Sequence, residues 1–157
     1  MLLGAGLPLA ISPDGQWVLI HLDGSFRPVT PDGVISAWPT PDGKYVLGET
    51  VGTRQMALYP LACGAAVPVK GLTPADDPPG FGAHDDDFYV RQIHGPNSPV
   101  FEVNLRTGQR QLIAALHPAG PAGFSQYGNA SISRDGKVIA FGYVTSLSTL
   151  YVASGLH

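Results

Sequence analysis

Few residues in this chain have the type and spacing that chemistry needs. His84, Asp85, Asp86 and Asp87 form one run, and clustered carboxylate oxygens can hold a hard cation such as calcium. The run lacks the alternating spacing and closing Glu of a calcium loop, so a solvated turn is expected there and no metal site. His21, His84, His94, His117 and His157 show no i, i+4 pair and no zinc-ligand spacing. Ser125 stands in Gly123-Phe124-Ser125-Gln126-Tyr127-Gly128. That string is one residue longer than the Gly-x-Ser-x-Gly elbow of a serine hydrolase, and it is expected in a loop. The Gly-rich loop, strand Lys and catalytic Asp motifs of a kinase are absent. Cys63 is the only cysteine, which excludes an internal disulfide and a cysteine-based metal site. The sequence therefore predicts a non-catalytic chain with no cofactor.

The composition narrows the partners. The 157 residues carry 9 Lys+Arg against 12 Asp+Glu, a formal charge of −3. Nucleic-acid binding needs clustered basic side chains, and these are scattered, so no nucleic-acid partner is expected. The same shortage argues against a polybasic membrane patch. The apolar start, MLLGAGLPLAI, has no preceding basic residue and is broken by Pro8. It makes a poor signal peptide and falls far short of the roughly 20 apolar residues of a membrane span. The expectation is a soluble chain without membrane insertion, its compartment unknown and cytoplasmic by default. The 20 glycines and 15 prolines exclude a coiled coil, and the glycines keep no collagen spacing.

What must position any site is a repeated turn. SPDGQWVLI (Ser12 to Ile20), TPDGKYVLGE (Thr40 to Glu49) and SRDGKVIAFGY (Ser133 to Tyr143) each place Ser/Thr-x-Asp-Gly before a polar residue and a β-prone apolar run. Asp-Gly suits a tight hairpin because Gly tolerates positive φ. Asp14, Gly15, Asp42, Gly43, Asp135 and Gly136 are thus the expected structural turn residues. The strands that follow read as buried on nearly both faces. Further strands are expected at Ala57 to Ala62, Val100 to Leu105 and Thr149 to Ser154. The middle one alternates, with Val100, Glu102 and Asn104 on a wet face. Short outer strands are expected at Ala66 to Lys70 and Arg110 to Ala114. In the long gap between Asp42 and Asp135, the Asp-Gly turn has drifted to Asp85-Asp86-Asp87 ahead of Phe88-Tyr89-Val90. Full units of roughly 40 to 50 residues result, the size of a four-stranded propeller blade. Pro74 to Pro79 and Pro118 to Gly123 are expected as loops between units, and no helix is expected.

These strings resemble the TolB-like, WD-repeat-like β-propeller blades of bacteria: Ser-Pro-Asp-Gly-Lys, an apolar strand, then Leu-Tyr-Val. The ending from Ser148 to Leu156 is similar to the last blade of propellers that follow the kinase domain in some bacterial serine/threonine protein kinases. The resemblance implies an all-β chain, a partial β-propeller of about 3.5 to 4 four-stranded antiparallel blades. The units would fall at 8–31 (incomplete), 32–74, 79–117 and 128–157. It implies a sensing or protein-interaction module, extracytoplasmic if part of a receptor-type kinase. The same blade type accompanies the hydrolase domain of prolyl-oligopeptidase and dipeptidyl-peptidase relatives, and a TolB-like periplasmic scaffold is a third alternative. So few blades imply a fragment of a longer protein, closure with a second copy through exposed blade edges, or a small strained propeller. Loops sharing one rim would meet an unidentified protein or peptide. Trp38, His84, Asp85, Asp86 and Tyr143 are the candidate surface residues, the two aromatics because Pro39 and Gly142 interrupt their strands.

Overall fold

The computed structural model describes residues 9–11, 17–20 and 26–148. Those residues form antiparallel β-sheets and no helix. The first sheet joins β1 (Leu9–Ile11), β2 (Trp17–Ile20) and β3 (Phe26–Pro28) in that order. Its first strand comes from the apolar start and falls within the incomplete unit expected at 8–31. The second sheet runs β4 (Val34–Pro39), β5 (Tyr45–Thr50), β6 (Met56–Pro60) and β7 (Val67–Pro68). The third runs β8 (Asp76–Phe81), β9 (Asp87–Gln92), β10 (Ser98–Asn104) and β11 (Arg110–Leu116). The fourth pairs β12 (Phe124–Ile132) with β13 (Ile139–Thr145). Each sheet is a meander whose spatial order is its chain order. The strand expected from Thr149 to Ser154 and the turn at Asp14-Gly15 lie outside the described residues.

The central strands follow their apolar runs. In β5 the four residues from Val46 to Glu49 are buried, and in β9 the four from Phe88 to Arg91. Leu47, Phe88, Val90, Val103 and Leu105 form one core between the second and third sheets, with Trp38 and Phe81 packed against it. Phe88 meets Trp38 edge-on at 6.0 Å and Phe81 at 4.8 Å between ring centroids, separations typical of favourable aromatic pairs.

Several sequence expectations change. Asp76 to Pro79 belong to β8 and not to a loop between units. Two prolines are tolerated because β8 is the end strand of its sheet, and its register shifts between Asp77 and Gly80. Ser125 lies in strand β12, not in a loop. Val100 does not face water; it is fully buried, as is Val103. The alternation breaks because β10 shifts register against β11 between Val100 and Phe101. β13 is not buried on both faces: Ala140, Gly142, Tyr143 and Val144 are exposed. Among the described residues it pairs with β12 alone.

From the second sheet onward, successive sheets touch in chain order. β4 lies against β8, and β8 lies against β12. Polar bonds tie the same sheets at both ends of the strands. Near the turns, the Asp42 N–H donates to Asp85 Oδ1 at 2.8 Å, and the Tyr89 hydroxyl donates to the Arg134 carbonyl at 3.2 Å. At the other end, Arg54 Nη2 donates to the Asp76 carbonyl at 3.3 Å and Arg91 Nη2 to the Gly128 carbonyl at 2.9 Å. Tyr127 Oη also sits 2.7 Å from the Pro96 carbonyl.

Candidate interaction surface

The β4–β5 and β12–β13 turns are one structure made twice. The Thr40 N–H donates to the Tyr45 carbonyl and the Gly43 N–H to the Thr40 carbonyl. The Ser133 N–H donates to the Val138 carbonyl and the Gly136 N–H to the Ser133 carbonyl. Gly43 and Gly136 both have φ of +69°, in the left-handed region that glycine enters without a Cβ penalty. Inside each loop the Asp carboxylate is held in the same way. Asp42 Oδ1 accepts from the Thr40 hydroxyl at 2.7 Å and from the Lys44 N–H at 3.0 Å. Asp135 Oδ1 accepts from the Ser133 hydroxyl at 2.6 Å and from the Lys137 N–H at 3.2 Å. The Ser/Thr oxygen in turn accepts the N–H of Tyr45 or Val138 at 3.0 Å. The repeat's Ser/Thr and Asp are therefore bonded to each other, and their chemistry is spent on the turn.

Burial alone would raise the Asp42 carboxyl, but the Lys44 N–H and the Thr40 hydroxyl outweigh it and hold its pKa below the ordinary aspartate value. The Ser133 hydroxyl, followed by the Lys137 N–H, holds Asp135 low as well. Both carboxylates are ionised at neutral pH, and each is paired with a lysine of its own turn, Asp42 with Lys44 and Asp135 with Lys137. A Cβ on Gly136 would sit 2.8 Å from the Tyr89 hydroxyl, so the last turn fits over β9 only without a side chain. Burial, aided by Glu102, raises the Tyr89 phenol, which keeps the proton it donates to Arg134.

The β8–β9 turn is a variant. The Gly82 N–H donates to the Asp87 carbonyl, but here the Asp87 N–H returns to the His84 carbonyl. By position, His84 stands where Asp42 and Asp135 stand, and Asp85 replaces the glycine. The three carboxylates diverge. Asp85 accepts the Asp42 N–H, Asp86 pairs with Arg106 at 2.7 Å, and Asp87 meets the Asn104 amide at 3.4 Å. Among the described residues no three His, Cys, Asp or Glu side chains are placed to hold a metal ion.

Of the candidate surface residues, His84, Asp85 and Tyr143 are exposed, and Asp86 is half-buried. His84, Asp85 and Asp86 lie on the turn rim. Tyr143 stands apart on β13, and Trp38 packs between sheets on Phe88. Arg106 and Asp86, with Tyr45, Leu58 and Val67, border an open groove of about 420 Å³ between the second and third sheets.

Sequence reasoning missed the polar groups at the far end. The Asp76 carboxylate is fully buried. It accepts from Arg110 Nη1 and Nη2 at 2.9 Å each, from the Thr73 N–H at 2.7 Å and from Gln92 Nε2 at 3.0 Å. The Arg110 guanidinium also lies 4.7 Å from the Phe101 ring centroid. Buried Glu49 pairs with Arg54 at 2.6 Å. Asp76-Asp77 is an acidic pair opening a strand, but its partners, Arg91 one strand away and Arg110 three strands away, are set by strand order and not by local sequence.

No family model, curated protein or solved structure matches the chain. Among the described residues no helix is long and apolar enough to cross a membrane.

Proposed function

We propose that the four sheets are blades of a β-propeller arc and that the chain is a non-catalytic interaction or sensor module, of the kind joined to bacterial serine/threonine kinases. The observation that carries this reading is the order of ties between sheets. The second, third and fourth sheets are bonded, each to the next, at the turn end and again at the far end, with their first strands side by side. That is how blades stand around an axis, with the first strand of each innermost. The turns at Asp42, Asp85 and Asp135 then share a rim of hydrogen-bonded polar loops on a rigid scaffold, an arrangement suited to recognition rather than turnover.

Purified chain incubated with ATP, or with peptide esters, is expected to leave both unchanged over hours. Turnover that follows the protein through purification would overturn the non-catalytic assignment. Peptides selected on the wild-type chain are expected to lose binding to a His84→Ala, Asp85→Ala double variant; full retention by every selected peptide would remove the rim from the account.

A further inference from the structure

At the end of the strands opposite the turns, a cleft of about 640 Å³ opens where the second, third and fourth sheets meet. Its size falls within the range of small-ligand sites. Arg54, Asp77, Arg91, Gln126 and Asn129 are among its walls. These include two cations, Arg54 paired with Glu49 and Arg91 paired with Asp77.

Independent features set this cleft apart. Arg91 is buried, with its side chain only 4% exposed. Asp77 takes its Nε at 2.8 Å and also its Nη2, and the Gly128 carbonyl takes Nη2. Nη1 is buried with no acceptor among the described residues. A buried cationic donor without a partner is rare and calls for a physical reason. Arg54 has φ of +54°, a conformation that disfavours side chains other than glycine. The β10–β11 turn has the same bonding pattern and places Gly108 there, with φ of +82°. Holding an arginine in that conformation stores strain, a feature that gathers at ligand clamps. Finally, both inner strands bordering the cleft are bulged, β8 between Asp77 and Gly80 and β12 between Tyr127 and Ala130. Bulges re-aim side chains beside binding sites.

We infer that this cleft binds a carboxylate, with Arg54 making the direct contact, the buried Arg91 guanidinium lying behind it, and the Gln126 and Asn129 amides closing around it. Arg54 bonds Glu49 through Nε and the Asp76 carbonyl through Nη2, which leaves Nη1 for the ligand. Charge-assisted bonds from arginine forks are the usual way proteins hold a planar carboxylate. The site stands apart from the turn rim and does not depend on what the rim binds.

The test is arginine side-chain NMR on the unmodified chain, titrated with acetate, with the peptide acetyl-Ala-Ala-Glu, and with that peptide's fully amidated form. The acids should shift the Arg54 and Arg91 signals saturably, and the amide should not. Binding at least about tenfold tighter to the peptide than to acetate marks a peptide acid as the source, and equal binding marks a free small carboxylate. Arg54→Gln, checked for an unchanged fold by its amide spectrum, should weaken the acid by roughly tenfold or more. Unmoved arginine signals with both acids, or equal shifts from the amide, would overturn the site.

Discussion

Asp76→Ala is expected to lower the unfolding free energy by about 3–5 kcal/mol, the usual cost of removing one partner from a buried ion pair. The substitution strands more than a charge. The Arg110 guanidinium, the Thr73 N–H and the Gln92 amide all lose their acceptor. A domain of this size has roughly 5–15 kcal/mol in total, so the variant should stand near the edge of folding. Asp76→Asn should recover little, because its amide NH₂ would face donors where a carboxylate oxygen accepts from them. Urea titration followed by far-UV circular dichroism measures both.

The pH dependence follows from the same group. Burial alone would raise the Asp76 carboxyl, yet Arg110, the Thr73 N–H and Gln92 together hold its pKa below the ordinary aspartate value. A carboxyl lowered by folding stabilises the native state above its unfolded pKa of about 3.9 and loses that contribution as pH falls through the folded value. The stability gap between wild type and Asp76→Ala should therefore be constant near neutrality and narrow in acid, below about pH 4. A gap that widens in acid would mean that Asp76 is protonated in the native protein.

Phe88→Ala should cost about 3–5 kcal/mol as well, through lost burial and the cavity left behind. Phe88 is fully buried and touches Trp38 of the second sheet as well as Phe81 of its own. Its removal should loosen the join between two sheets and admit water to Trp38. A red shift in indole emission is expected alongside the lower urea midpoint. Phe88→Leu keeps most of the volume and should cost well under half as much. Equal losses for the two variants would mean that the aromatic edge contact, not the filled space, holds the sheets together.

Strands and hairpins were legible in the sequence because their causes are local. Asp-Gly after Ser or Thr sets the turn at Gly43 and Gly136, and β-branched or aromatic runs follow. Thr30-Pro31-Asp32-Gly33 repeats the string of Thr40-Pro41-Asp42-Gly43. It serves instead as the approach to β4, where the Gly33 carbonyl accepts the Val51 N–H, so the motif marks a bend without naming its partner strands. Pro78 and Pro79 looked like a linker because proline removes a ladder donor; at the end strand of a sheet that donor is not needed. Val100 looked wet because its neighbours Glu102 and Asn104 are polar, and one register shift cancels the period-two argument. The Asp76–Arg110 and Asp77–Arg91 pairs were invisible because they join residues 34 and 14 positions apart. Such pairing depends on which strands become neighbours, and no local pattern encodes that. The candidate cleft was hidden for the same reason, since its walls come from three sheets.

Stacking of sheets in chain order is what every functional statement above requires, and nuclear Overhauser contacts between specific side chains test it most directly. With Trp, Tyr and Phe rings carbon-13 labelled, cross-peaks are expected from Trp38 to Phe88 and from Tyr89 to the Gly136 turn. If each ring sees only residues of its own sheet, the second, third and fourth sheets do not stand against one another, and both the blade arrangement and the cleft between them are wrong.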